Sequence, residues 1–336
     1  MGQSLGLLAG SLLLMVVAAE LFTNAIEWVG SRLNLAEGAT GSLLAAVGTT
    51  LPESIVPVVA LVGGRPGATG IAVGAIVGAP LLLATAGAAI TALAALAARR
   101  RWLAVDVGHV RRDLTTFLVS FGLLIGSTVL PRPVHLGLAV LLVLLYGAYV
   151  ARTLRAARGG PAAFPEPLHL LRLGRRPVPG GTPARPGWLP LVVQVMVGAA
   201  ALVVAGNLFV AALHGLAAGV RLPALVLSLI LVPIATELPE TLAGVLWVRG
   251  GHDGLALGNI AGAMVLQSTL PAVIGLGFTP WRLTRPALLA AAAAAAGALL
   301  MLACLRRGRG LEARAVAVGG LCLYAAYVAA ALGLRG

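Results

Sequence analysis

The sequence contains no lysine. All 24 of its basic residues are arginine, set against only 11 acidic ones. Charged residues make up 10% of the chain and hydrophobic ones 59%, with a mean hydropathy of +0.99, which excludes an ordinary soluble domain. There are two cysteines, Cys304 and Cys322, both in late apolar runs, so neither a disulfide framework nor a thiolate metal site is expected. Of the five histidines, His109, His135, His169 and His252 lie in or beside loops. No Ser/His, Cys/His or metal-histidine constellation forms, and an enzyme reading has nothing to build on.

What the chain does have is apolar runs of about 20 residues, the length needed to cross a hydrocarbon core of about 30 Å. They read as an all-α polytopic membrane protein of ten spans: 5–30, 38–62, 71–98, 114–130, 134–150, 189–213, 222–248, 255–278, 287–305 and 315–334. The net charge of +13 then reflects a membrane protein, with the bilayer as partner and no nucleic acid. Eighteen of the 24 arginines fall in connections on the side opposite the termini. By the positive-inside rule that side is cytoplasmic, and both termini are extracytoplasmic. The first span lacks a basic leader and shares residues with a later span, so it is read as retained rather than cleaved.

Between Arg152 and Pro186 the composition turns to Arg, Pro and Gly, the signature of a mobile linker. It separates a first five-span unit (1–151) from a second (188–336), with 152–187 as the cytoplasmic connection. The units are related by sequence. Glu20-Leu21-Phe22 aligns with Asn207-Leu208-Phe209, and Leu51-Pro52-Glu53 with Leu238-Pro239-Glu240, at an offset of 187. After a loop three residues longer in the first unit, Gly74 and Gly78 align with Gly258 and Gly262. An odd number of spans per unit makes the repeat inverted, an architecture that places a substrate site at the midplane and moves by rocking one part against another.

The prolines of the two Leu-Pro-Glu segments remove backbone donors inside apolar spans, so carbonyls around 46–49 and 233–236 need other partners. A lone proline of this kind is ordinarily a kink. Two, each followed by glutamate at the same place in an inverted repeat, point to a cation site. Glu53 and Glu240 are its centre, since a charge at mid-span costs about 2.5–3.5 kcal/mol on insertion scales. Thr49, Thr50 and Thr236 supply hydroxyls of the kind hard cations take as oxygen ligands. Asn259 and Gln267 are candidate polar partners from the following span. Glu20 and Asn207, mid-span in the first helix of each unit, line an ion path or bridge helices, and the sequence leaves that choice open.

With these segments in place, the chain resembles the calcium/cation antiporter superfamily, the prokaryotic sodium/calcium exchangers in particular. The resemblance rests on Gly48-Thr49-Thr50-Leu51-Pro52-Glu53 with 74–80, on Ala235-Thr236-Glu237-Leu238-Pro239-Glu240 with 258–264, and on Ala19-Glu20-Leu21-Phe22. It implies secondary active transport, exporting Ca²⁺ or a similar divalent cation across the cytoplasmic membrane against inward Na⁺ or H⁺. The first and sixth spans would slide over a static core. It further implies Glu53 and Glu240 as cation ligands, Thr49 and Thr236 as hydroxyl or carbonyl contacts, and the carbonyls of Ala46 and Pro233. No cofactor is implied beyond the transported ions, and no residue sets an oligomeric state.

This sequence departs from the family pattern at definite places. Ala79, Pro80, Ala263 and Met264 stand where the repeats carry Ser and Asn, Ala75 where the first repeat carries Asn, and Leu83 where it carries a polar ligand. Gln267 keeps that ligand position in the second repeat, and Glu237 replaces a Ser. Three mid-span carboxylates cannot all be charged in an empty site, so at least one is expected to hold a proton, which suits H⁺ coupling. The alternatives are a monovalent cation/H⁺ antiporter and a non-transporting paralogue.

Overall fold

Long apolar runs fold as long helices, interrupted where proline or charged residues intervene. The computed structural model describes residues 2–32, 51–156, 168–172, 186–220 and 223–333. The first part comprises α1 (Gly2–Arg32), α2 (Leu51–Val62), α3 (Ala68–Leu82), a π-helical turn at Leu83–Gly87, α4 (Ala88–Ala97), strand β1 (Trp102–Leu103), α5 (Val107–Gly126) and α6 (Arg132–Ala156). A short α7 (His169–Arg172) follows, then α8 (Trp188–Val220), α9 (Ala224–Thr236), α10 (Leu238–Arg249), α11 (Asp253–Gln267) and α12 (Leu270–Phe278). The chain closes with α13 (Arg285–Cys304), β2 (Leu305–Arg306), β3 (Gly310–Glu312) and α14 (Ala313–Gly333).

Among the described residues, seven stretches rather than the ten expected are long and apolar enough to cross a membrane. Each of the other three has a physical reason. The second expected span begins outside the described residues, which leaves the short apolar piece Glu53–Val62. The seventh is broken at Glu237 into α9 and α10. The fourth, α5, carries Arg111, Arg112 and Asp113 in its opening turns.

The stretch Ala68–Ala97 runs through α3, the π turn and α4, and residues 71–89 within it are all buried. Pro80 cannot donate to the helix ladder, and the ladder widens just beyond it. The main apolar core surrounds this stretch, with Ile76 and Leu81 packed among Phe117, Ile260, Met264, Trp281 and Met301. A second, smaller cluster joins Met15 and Phe22 of α1 to Val56 of α2 and to Leu202, Phe209 and Leu213 of α8. Thus α1 and α8 form a pair beside the main core.

The arginine-rich connections assemble on one end of the molecule. Strand β3 lies between β1 and β2, antiparallel to both, with Trp102 opposite Glu312 and Arg306 opposite Gly310. Gly310 has φ +93°, and a Cβ there would overlap the Leu103 carbonyl, so only glycine closes this sheet. Arg100 forks onto Asp253 at 2.8 and 2.7 Å and also reaches the Val248 carbonyl, tying the α10–α11 turn to the sheet. Arg32 donates to the Pro186 carbonyl at 2.9 Å and lies over the Trp188 ring.

Most of the expected linker, 152–187, lies outside the described residues. The part described at 168–172 packs against α1 and α8. Leu168 is buried with Ala25, Trp28 and Leu191. The amide of His169 donates to Asn24 Oδ1 at 3.2 Å, and that of Leu170 to Gln194 Oε1 at 3.0 Å. Buried amides on α1 and α8 need partners, and this turn supplies them.

Candidate cation site

The site is built around the two Leu-Pro-Glu segments. On the second-half side, Glu237 is both the last cap of α9 and the first of α10, with φ −90° and ψ −2°. Its amide donates to the Pro233 carbonyl at 2.8 Å, and its own carbonyl accepts from Thr241 N at 3.0 Å. Pro239 has no N–H for the carbonyl of Ala235, so the helix parts there. Glu240 falls in the first turn of α10, where unpaired amides and the positive end of the peptide dipole favour negative charge. Glu53 lies near the start of the described part of α2.

Glu53, Glu237 and Glu240 converge, each at most 1% exposed. One carboxylate oxygen from each lies within 4.8 Å of the others. At that separation each pair of full charges repels by at least about 3 kcal/mol for an effective dielectric of 20. A triad of bare carboxylates is therefore unstable, and a proton or a cation must enter. Neither oxygen of Glu53 meets a donor among the described residues when all three are ionised. One proton on the triad relieves part of this repulsion.

Gln267, the last residue of α11, spans Glu237. Its Nε2 donates to Oε1 at 2.9 Å and to Oε2 at 3.0 Å. Its own Oε1 is buried without a donor among the described residues. Thr236 donates to Glu237 Oε1 at 3.3 Å. The site is thus an all-oxygen cage with one amide holding one carboxylate, the ligand chemistry of a hard cation.

Other expected residues stand elsewhere. Asn259 is buried on α11 about 12 Å along the axis from Gln267, and its Oδ1 has no donor among the described residues. The Pro233 carbonyl, expected as a ligand, already accepts the Glu237 amide. Glu20 is exposed and meets His169 Nε2 at 3.1 Å, bridging α1 to the docked turn rather than reaching the carboxylates. Asn207 donates to the Val203 carbonyl at 2.8 Å and lines a groove of about 360 Å³ with Ser54 and Val59. Ala46, Thr49 and Thr50 lie outside the described residues.

Sequence reasoning passed over Thr241, whose Oγ1 is buried without a partner beside Glu240. The signal was present: a hydroxyl follows the glutamate in both repeats, as Ser54 and Thr241. It also passed over Ser228, which donates to the Ile71 carbonyl at 2.8 Å where α9 crosses α3.

Residues 3–155 and 190–333 match the family described as "Sodium/calcium exchanger protein". Inner membrane protein YrbG of Escherichia coli (strain K12) is 26% identical over 275 residues, covering 81% of this chain and 80% of that protein. The crystal structure of the H⁺/Ca²⁺ exchanger CAX superposes with a TM-score of 0.74 at 18% identity, over 98% of this chain and 87% of that one. The sodium-calcium exchanger NCX_Mj superposes with a TM-score of 0.63 at 18% identity, over 97% and 98%.

Proposed function

The chain belongs to the sodium/calcium exchanger family, and on that premise we propose that it is an antiporter of the cytoplasmic membrane. It exports Ca²⁺ or a similar divalent cation in exchange for H⁺ or Na⁺. The observation that carries this reading is the convergence of Glu53, Glu237 and Glu240, with Gln267 across Glu237.

The electrostatics set the exchange. A divalent cation offsets two of three negative charges, and a proton on the triad offsets one. Cation entry therefore displaces the proton, and re-protonation expels the cation, so H⁺ is the counter-ion that this charge balance favours. Hydroxyls of Thr236 and Thr241 and the free oxygen of Gln267 complete the oxygen shell.

The architecture proposed is ten spans in two inverted five-span units, 1–151 and 188–336, joined by the cytoplasmic stretch 152–187, with both termini outside. Packing supports the pairing of the units. Helix α10 lies on α4 as α2 lies on α12, and α14 lies on α4 as α6 lies on α12. The shared surface of the 99–106, 249–253 and 305–312 connections supports their lying on one side. The α1–α8 pair, with its own apolar cluster, is the part that slides over the core.

The test is uptake of labelled Ca²⁺ by inverted membrane vesicles, driven in turn by an imposed pH gradient and an imposed Na⁺ gradient. Uptake under the pH gradient is expected. No uptake under either gradient, with folded protein present, overturns the divalent reading, and uptake under Na⁺ alone overturns H⁺ coupling.

A further inference from the structure

At the arginine-rich end of the molecule, α5 and α6 leave between them a groove of about 210 Å³. Its walls change character along their length. On α5 the lining runs from Arg112 through Thr116 to Val119, and on α6 from Arg152 through Tyr149 to Leu145. Seven residues separate the ends on each helix, about 10 Å of rise. One end of the groove is cationic and the other aliphatic.

Charge at the cationic end is unbalanced. Arg112 is steered by His109 Nδ1 at 2.9 Å and by the buried Asp113 at 3.4 Å, while His109 Nε2 reaches the other Asp113 oxygen at 3.2 Å. Arg152, the other arginine lining the groove, pairs with no carboxylate among the described residues. An arginine beside hydrocarbon is costly unless its head meets water or an anion. The apolar half of the groove would be idle for a soluble anion, but it fits an acyl chain.

We propose that this groove is a binding site for an anionic phospholipid, its phosphodiester between Arg112 and Arg152 and an acyl chain along Val119 and Leu145. Two guanidinium groups set at headgroup depth match a phosphate's oxygens. Anionic lipids of the leaflet facing this end supply the ligand, which would fill the space between two helices that bracket the core.

Native mass spectrometry of the full-length protein in detergent tests this, with phosphatidylglycerol and phosphatidylcholine titrated separately. Phosphatidylglycerol is expected to stay bound where phosphatidylcholine is lost. Arg152→Gln, an exposed and unpaired position, should weaken phosphatidylglycerol about fivefold, and the Arg112→Gln/Arg152→Gln pair about thirtyfold. Arg132→Gln, at the opposite end of α6, should change nothing. Equal retention of the two lipids by the unaltered protein overturns the proposal, as does undiminished binding by Arg152→Gln. Displacement of the lipid by sodium phosphate at equal concentration would make this a phosphate site and also overturn it.

Discussion

The two halves of the molecule use the same backbone device with unequal side chains. Each carries Leu-Pro-Glu inside an apolar stretch and buries that glutamate. Yet the second half adds Glu237 where the first has Thr50, and Gln267 where the first has Leu83. The following helices differ as well. After Leu82 the first half continues through a π turn into α4, whereas after Gln267 the second stops, and α12 begins only at Leu270. Polar groups at Gln267, Ser268 and Thr269 let the backbone open there, since Thr269 Oγ1 caps the Val265 and Leu266 carbonyls at 2.9 Å. On the proposed function, the shared device makes the cation site and the unshared residues set what competes with the cation.

The largest effect tests the shared part. Glu53→Gln and Glu240→Gln each remove one charge from a buried triad and should weaken divalent binding at least about thirtyfold. Isothermal titration in detergent measures it. Similar losses in both variants support one ion shared between the halves. A normal affinity in Glu53→Gln would remove the first half from the site.

Next comes the unshared carboxylate. Glu237→Ser leaves two carboxylates, enough to neutralise a divalent ion, but takes away the third charge that calls for a proton. Ca²⁺ uptake in vesicles should lose most of its dependence on the pH gradient, with divalent affinity changed by less than about tenfold. Unaltered H⁺ coupling would show that Glu237 has another role.

How much of this was legible beforehand depended on the kind of signal. Glu53, Glu237 and Glu240 could be read because charge in an apolar run has few structural explanations, and the repeat put Glu53 and Glu240 in register. The family could be read from the same segments. Gln267 was legible only as a polar residue in a span; that it straddles Glu237 depends on where α11 ends. The Pro233 carbonyl, which the family resemblance implies as a ligand, accepts the Glu237 amide and keeps a second lone pair, a pairing sequence alone does not show. His169 gave no signal at all, since its partners Glu20 and Asn24 lie about 150 positions away in the chain.

A smaller effect concerns packing. In the first half, Gly78 lets α3 approach α9: a Cβ there would sit 2.5 Å from Pro233 Cγ and 3.0 Å from the Leu229 carbonyl. Gly78→Ala should cost about 1–3 kcal/mol, read as a lowered melting temperature in detergent. Gly122→Ala on α5, where a Cβ meets nothing within 4 Å, should be neutral or stabilising by up to about 1 kcal/mol. Equal melting of the two variants would mean that the α3–α9 contact is looser than described.

The smallest effect contrasts how the fourth helix of each half begins. Asp106 caps α5, accepting from Gly108 N at 2.8 Å and His109 N at 3.1 Å, while α13 begins at Thr284 with no side-chain cap and a proline in its first turn. The amide bonds from His109 and Gly108 hold the Asp106 carboxyl below its usual value. A depressed folded-state value means that the cap's stabilisation is fully present above the unfolded value of about 4. It is lost as pH falls through the lower, folded value. Asp106→Ala should therefore cost about 0.5–2 kcal/mol at neutral pH and nearly nothing once both states are protonated, whereas Thr284→Ala should cost little at either pH. Melting temperatures at neutral and strongly acidic pH separate the cases. An Asp106→Ala deficit that persists unchanged in acid would assign its effect to packing instead of to the charged cap.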